Sequence, residues 1–469
     1  MKILTVLLMN NAALRKLAYK SLLELATSQG FNASGKDEVF GCIFGRDSAL
    51  TILKILKVHT HKPSLELLEI SRKALLTLVK LQGREFNLES GEQPGKFIHE
   101  FRKSEKEKER LLSLKKPWYV YPDDTIKNYD SIDSTPLTLI AIYKYWQISQ
   151  DSEFLLTVLP AVEAGLNWII TFGDMDKDDL IEYELPKERT HGGLPVQSWT
   201  DSHESLMDKF GKFPKYPIAP VEAQGYAWLA LKLWGNFYLQ HSPQFGQKLL
   251  AQSQKLKSVF NKKFIIKDSG HFYAAQALDG NKNKIKTITG NPLLLLWASF
   301  TSTKHTACII DDEYIPDFVK RAFKEDLFDK DAGIRTMSTK SPTFNPSQNS
   351  YHNGSFWPIL NGMVHEGLEN WGFKLEANKL KEATIKPLLY FKTPIELYIK
   401  NELGNYQEFK SPSGQTSCKV QAWSAAAMLD LLTEESEFDN FFNPLYLFWQ
   451  KILLKYNPWK TLPALTKNL

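Results

Sequence analysis

Apolar residues along the chain recur mainly every three or four positions, the spacing of amphipathic helices. Residues 11–28 carry leucines and alanines in this pattern and stop before Gly30. A second helix is predicted from Arg46-Asp47 to about residue 58, and a third over 64–82. The pattern returns at 134–149 and 153–171. A pair follows at 217–240 and 243–260, each member opened by a proline. Helices are then expected at 291–300, 312–323, 354–370, 372–390, 421–434 and 443–455. Period-two alternation is confined to short runs such as Phe272–Leu278, which ends in the turn Asp279-Gly280. Twelve or thirteen helices with few strands make an all-α fold. Paired helices in this number can close into a ring around a funnel, and an open helical solenoid gives the same count.

Two stretches break the pattern. Residues 83–133 read as mostly irregular, and a connection that long is usually functional or disordered; its aromatic and polar content favours function. Within it the charged run Lys103–Lys116 reads as a solvated helix face or exposed turn without a function. The second stretch, His191–Ser205, is too rich in Gly, Pro and Ser for a helix interior and reads as a loop.

Composition narrows the class. The chain has 469 residues, 43% hydrophobic and 24% charged, as ordinary globular proteins do. No Gly/Ser linker divides it, so one domain over residues 1–469 is expected, with no β-sandwich domain ahead of it. A net charge of +5 argues against a nucleic-acid partner, which calls for a concentrated basic face. Cys42, Cys308 and Cys418 are far apart, odd in number and without a CxxC, which fits reduced thiols and a cytoplasmic location. The apolar start Met1–Met9 reads as the lead-in to the first helix, and no other run is expected to approach a membrane span, so no membrane partner is expected. The absence of Walker and GxGxxG motifs excludes a nucleotide cofactor, and no His/Asp/Glu spacing suggests a catalytic metal. Asp174–Glu182 begins like a calcium loop, but Asp179 stands where a glycine is needed and Leu185 where a glutamate is, so an acidic turn is expected.

Candidate chemistry starts at Trp199 and Asp201, two residues apart on the His191–Ser205 loop. A flat ring stacks on a sugar face and dries the pocket, and drying raises a neighbouring acid's pKa. Alternatively Asp201 caps the helix that follows. Arg46 and Asp47 sit where a loop becomes a helix. Either Asp47 caps that helix, or both side chains face a pocket and bind vicinal hydroxyls.

Several stretches then line up in order with one family. They are Phe44–Ser48, Pro94–Glu100, Tyr129–Pro136, Gln197–Ser202, Pro220–Tyr226, Gly333–Thr336, Tyr351–Pro358, Ile395–Leu397 and Gln421–Ser424. Over roughly residues 40 to 430 the chain resembles the amylo-α-1,6-glucosidase-like glycoside hydrolases. The resemblance implies an (α/α)6 toroid with short β-hairpins in its loops, and hydrolysis of α-glucosidic bonds without a cofactor. Where the family commonly continues His-Asp after Tyr-His-Asn-Gly-Ser-x-Trp-Pro, this chain has Ile359-Leu360.

The resemblance also implies roles. Asp201 matches the general acid and Glu396 the general base, with Glu402 and Glu408 as rivals of Glu396 in a loop of uncertain alignment. Arg46 and Asp47 would hold the non-reducing glucose. Asp133 would line the same pocket or cap the helix near Pro136. Trp199, Tyr351 and Trp357 are stacking candidates, while His352 and His99 would bind sugar or brace loops. Glu204 reads as a support or cap. The expected activity is inverting hydrolysis at the non-reducing end of a short α-glucan or α-glucoside. The alternatives are a phosphorylase on the same toroid, or a sugar-binding protein without catalysis.

Overall fold

Two kinds of helix alternate along the chain, and burial separates them. The computed structural model describes residues 2–302, 305–412 and 414–433. Helix α1 (Lys2–Glu24) is followed by α2 (Gly45–His61), which buries thirteen of its 17 residues, and α3 (Leu65–Lys80), which buries five of 16. A short α4 (Glu105–Leu112) precedes α5 (Ser134–Ser149) and α6 (Ser152–Thr171). Helix α7 (Val221–His241) buries sixteen of 21 residues, and α8 (Pro243–Phe264) six of 22. Then come α9 (Leu294–Trp297), α10 (Ile315–Ala322), α11 (Pro358–Asn370), α12 (Lys374–Phe391) and α13 (Ala422–Leu432). A helix apolar on all sides belongs inside a core, and one with a single apolar stripe belongs at its edge.

The contacts follow that division. Helix α2 packs on α5, α5 on α7, α7 on α9, α9 on α11 and α11 on α13, and α13 returns to α2. The return contact closes a ring, which excludes the open solenoid. Outside it α1 lies on α13, α3 across α2 and α5, α6 on α5 and α7, α8 on α7, and α12 across α11 and α13. Helix α10 lies beside the 3-10 turn Asn291–Leu293 that leads into α9. The fold is an (α/α)6 toroid, with α4 as an addition. Its strands pair into sheets of two or three strands among the described residues.

Several elements differ from the sequence pattern. Residues 83–133 contain α4 and two strands of a three-stranded antiparallel sheet, so the stretch is less irregular than expected. The helix expected at 291–300 keeps only four α-helical residues. It follows a 3-10 turn holding Pro292 and gives way to the hairpin Phe300–Thr301/Thr306–Ala307. The helix expected from 354 starts at Pro358, because Phe356 bridges Arg335 and Tyr398 in extended conformation. Helix α6 is long and apolar enough to cross a membrane, contrary to expectation; half of that apolar window is buried in the fold. The acidic turn gathers oxygens of Asp174, Asp176 and Asp178, and the Lys282 ammonium pairs with Asp176, Asp178 and Glu182. The helix expected at 443–455 lies outside the described residues.

Some helices outside the ring are capped by side chains: Ser64 on α3, Asp151 on α6, and a capping box of Ser104 and Glu107 on α4; α8, α10 and α12 have no side-chain cap. None of the six inner helices has a side-chain cap. Their first residues point into the mouth of the ring, where they meet one another.

Midway along α2, a buried ion cluster ties the first inner helix to the last two. Lys54 is fully buried and donates to Gly362 O (2.8 Å), Glu366 (2.7 Å) and Asp430 (2.8 Å). Removing one partner of a buried pair leaves the other charge uncompensated. Lys54→Met is therefore expected to cost about 3–5 kcal/mol of stability. Adding Asp430→Leu should recover much of the loss, as read by chemical denaturation.

Candidate active site

Three strands set the entry to the site. Ile43–Phe44 and Ile126–Asn128 pair antiparallel on either side of Glu100–Arg102. The first runs directly into α2 and the last reaches α5 five residues later, so the sheet brings these two helix starts together. Gly45 makes the approach possible. Its N–H donates to His99 O at 2.8 Å, and a Cβ there would stand 1.9 Å from Ile98 O. His99 thus braces this seam through its backbone, and its ring packs edge-on against Phe44.

Arg46, in the first turn of α2, is 4% exposed. Its Nη2 donates to Asp201 Oδ2 at 2.6 Å, and its Nη1 donates to Asp133 at 3.3 Å and to Ser198 O at 2.8 Å. One guanidinium thus joins α2, the start of α5 and the His191–Ser205 loop. Asp133 occupies the N-cap position of α5 but makes no capping bond. It takes Arg46 and the Ser131 hydroxyl (2.5 Å) instead. Asp201 also caps nothing; the 3-10 turn behind it, His203–Ser205, starts from Ser202. Asp47 lies inside α2 rather than capping it, and Gln421, at the start of α13, donates to it at 3.1 Å. Glu204 is exposed on the 3-10 turn, and its carbonyl accepts from Asn353.

Glu396 lies in the buried link between α12 and the strand Tyr398–Lys400 and is 1% exposed. The Tyr351 hydroxyl donates to its Oε1, and Cys418 N donates to its Oε2 at 2.8 Å. Asp47 and Tyr351 each feel the charges of both Asp201 and Glu396, so both carboxyls lie near these two side chains. Glu402 is exposed in the turn between Tyr398–Lys400 and Tyr406–Glu408, and Glu408 ends the second of these strands.

The aromatic candidates form one cluster beneath the carboxyls. Trp199 and Trp357 are 3% and 2% exposed, with ring centroids 5.5 Å apart. His352 stacks on Trp357 at 4.9 Å, and its Nδ1 meets the Ser202 hydroxyl at 2.9 Å. Tyr351 packs edge-on against Trp357 and spends its hydroxyl on Glu396. Arg46, Asp133 and Asp201 thus form one ion-paired group, and Trp199, His352, Trp357, Tyr351 and Glu396 one contact chain, with Ser202 beside Asp201 meeting His352.

Burial dominates the electrostatics. It works against the Arg46 charge, yet Asp133, Asp201 and Asp47 together outweigh it and hold the guanidinium above its usual range. Burial raises Asp201, and Arg46 opposes the rise. Burial pushes both Asp47 and Glu396 up to about 7. His352 is driven well below its usual range by burial and by Arg46, so it stays neutral and accepts the Ser202 hydrogen bonds.

Two residues escaped assignment in the sequence although their stretches were singled out. Glu222, in the first turn of α7, is fully buried and pushed by burial up to about 7; it accepts from Trp199 N (3.2 Å) and Asn291 Nδ2 (3.3 Å). Gln421 holds Asp47. Polar residues just inside helix starts were the available signal, and their convergence needed the closed ring.

The family model for amylo-alpha-1,6-glucosidase matches residues 119–430. No curated protein matches the chain. Among solved structures, the chain is similar to an uncharacterized conserved protein from Thermus thermophilus, with 15% identity, TM-score 0.61, and coverage of 90% of this chain and 100% of that one. A GH63 mannosylglycerate hydrolase from the same organism, in complex with Tris and D-glycerate, gives 14% identity and TM-score 0.61, covering 89% and 99%. A rhamnosidase from Klebsiella oxytoca with rhamnose bound gives 11% and 0.55, covering 90% and 63%. At these identities the structures establish the shared fold.

The raised carboxyls link stability to pH. With folded values near 7 and an ordinary value of 4.5, Glu396 and Glu222 bind more protons folded than unfolded between those limits, so their contribution falls as pH rises through that window. Glu396→Gln removes one such charge. The variant is expected to be more stable than the parent at pH 8, on the order of 2–3 kcal/mol. The gap should close towards pH 5, as read by melting curves across pH.

Proposed function

The chain belongs to the amylo-alpha-1,6-glucosidase family of glycoside hydrolases, and from that we propose that it cleaves α-glucosidic bonds at the non-reducing end of short α-glucans, with inversion. The observation that carries this reading is the ion pair of the buried Arg46 with Asp201, beside an Asp47 that feels the charges of both Asp201 and the buried Glu396. Glycoside hydrolysis needs one carboxyl to protonate the leaving oxygen and another to activate water on the opposite face.

In this reading Asp201 is the acid. It is the more open of the two, with 24% of its side chain exposed, and it faces the leaving group. Sugar binding expels water and strengthens the rise that burial already causes. Glu396 is the base, held by Tyr351 and Cys418 N, and a value near 7 suits a base working at neutral pH. Arg46 and Asp47 hold the outer hydroxyls of the glucose, with Asp133 beneath Arg46. Three buried atoms here have no protein partner among the described residues: Arg46 Nε, Gln421 Oε1 and Trp423 Nε1. They offer both donors and an acceptor, which hydroxyls require. Trp199, Trp357 and His352 form the apolar floor. The similar mannosylglycerate hydrolase acts, by its name, on a small glycoside, in keeping with a short substrate here. The unpaired buried cysteines Cys42, Cys308 and Cys418 support a cytoplasmic setting.

Asp201→Asn is expected to lower turnover by a factor on the order of a hundred or more, with binding retained and a smaller loss on substrates with very good leaving groups. Near-normal turnover would refute the assignment. Proton NMR should detect β-glucose as the first product from an α-linked substrate, and α-glucose first would overturn inversion.

Tyr351→Phe removes a hydrogen bond that favours the Glu396 carboxylate, so the acid limb of kcat/KM should move to higher pH. An unmoved limb would separate Glu396 from the base.

A further inference from the structure

A cavity of about 340 Å³ opens beside the entrance to the His191–Ser205 loop, and none of the residues assigned to the carboxyl pocket lines it. Its apolar wall is Leu114, Leu185 and Pro186. Its polar side chains are Lys115, Lys116, Trp118, Arg189 and His191, with Gly192-Gly193 supplying backbone. No carboxylate, amide or hydroxyl side chain is among them.

Arg189 Nη1 and Nη2 and His191 Nδ1 are engaged by Asp130, Gly192 O and Glu89, whereas the lysines, the indole and Arg189 Nε are not held by carboxylates among the described residues. Lys115 pairs with no carboxylate among the described residues, and Lys116 reaches only Arg189 O, at 3.5 Å. Arg189 Nε is buried without a protein partner. The Trp118 indole lines the cavity, packs where a Cβ on Gly192 would fall, and donates its N–H to no protein acceptor among the described residues. The nearby carboxylates are occupied: Asp130 takes Arg189 at 2.8 Å and Leu194 N at 3.0 Å, and Glu89 takes His191 at 2.8 Å.

We propose that this cavity binds a small organic anion, a phosphate monoester or carboxylate carried on a compact body. A neutral sugar needs acceptors as well as donors, and the side chains here are donors except for a ring nitrogen of His191. Two unpaired ammonium groups beside a tryptophan and an apolar wall match a charged head on a ring-sized body. The volume is at the small end of ligand pockets. The charged run Lys103–Lys116, which has no function in the sequence pattern, thereby supplies the head-group contacts from the segment after α4.

The test is calorimetric titration of the purified chain at fixed ionic strength with glucose 6-phosphate, inorganic phosphate, D-glycerate and glucose. Saturable one-to-one binding of at least one anion is expected, with glucose silent at this site. Preference for glucose 6-phosphate over D-glycerate assigns the head group as phosphate, and the reverse as carboxylate. The exposed pair Lys115→Ala/Lys116→Ala should weaken binding roughly tenfold or more, with melting temperature and hydrolysis unchanged. Trp118→Phe should weaken it without abolishing it. Silence from every anion overturns the proposal, as does glucose binding that the double lysine change weakens as much as it weakens the anion's. Binding that survives the double lysine change but is lost in Arg46→Ala would put the anion in the carboxyl pocket and also overturn it.

Discussion

The pocket depends on one buried cation. Arg46 is bonded at once to the start of α5, to the backbone at Ser198 and to Asp201. Those groups lie on two stretches of chain, the start of α5 and the His191–Ser205 loop, and each would be costly to bury unpaired. The guanidinium suits the task because its planar fork satisfies several acceptors and its charge is not lost on burial. Gly45 and the three-stranded sheet bring this side chain to the mouth of the ring, so the geometry of the carboxyls begins with a backbone contact between Gly45 and His99.

The absence of side-chain caps on the inner helices follows from the same demand. A Ser or Asp that caps its own helix has its oxygen committed. Here Asp133, Glu222 and Gln421 stand at helix starts but reach across to neighbouring elements, to Arg46, to Trp199 N and Asn291, and to Asp47. The positive ends of the inner helices favour negative charge at these positions. Helices α3 and α6, which have no such task, keep side-chain caps.

Burial sets the proton inventory. Asp47, Glu222 and Glu396 rise towards 7 chiefly because burial disfavours their charged forms, and for Asp47 the opposing charge of Arg46 is not enough to reverse it. A pocket of this kind exchanges stability for reactivity: it holds acids whose charged forms are disfavoured at neutral pH, and the rigid ring prevents them from escaping into water.

Local pattern was sufficient for the helices. The spacing of apolar residues located most of them, and the ordered short motifs pointed to the toroid and to Arg46, Asp133, Asp201, Tyr351 and Glu396. These signals are local because helix period and turn chemistry act over a few residues. Tertiary structure decided what those side chains bind. Whether Asp133 and Asp201 cap helices or pair with Arg46 turns on residues 87 and 155 positions away. Glu396, Glu402 and Glu408 share one stretch, and burial beside Tyr351 and Cys418 distinguishes the first. Glu222 finds its partners on the His191–Ser205 loop and in the turn before α9, and Gln421 finds Asp47 where α13 packs on α2. Burial and charge pairing are properties of that packing, and no local stretch of sequence contains it.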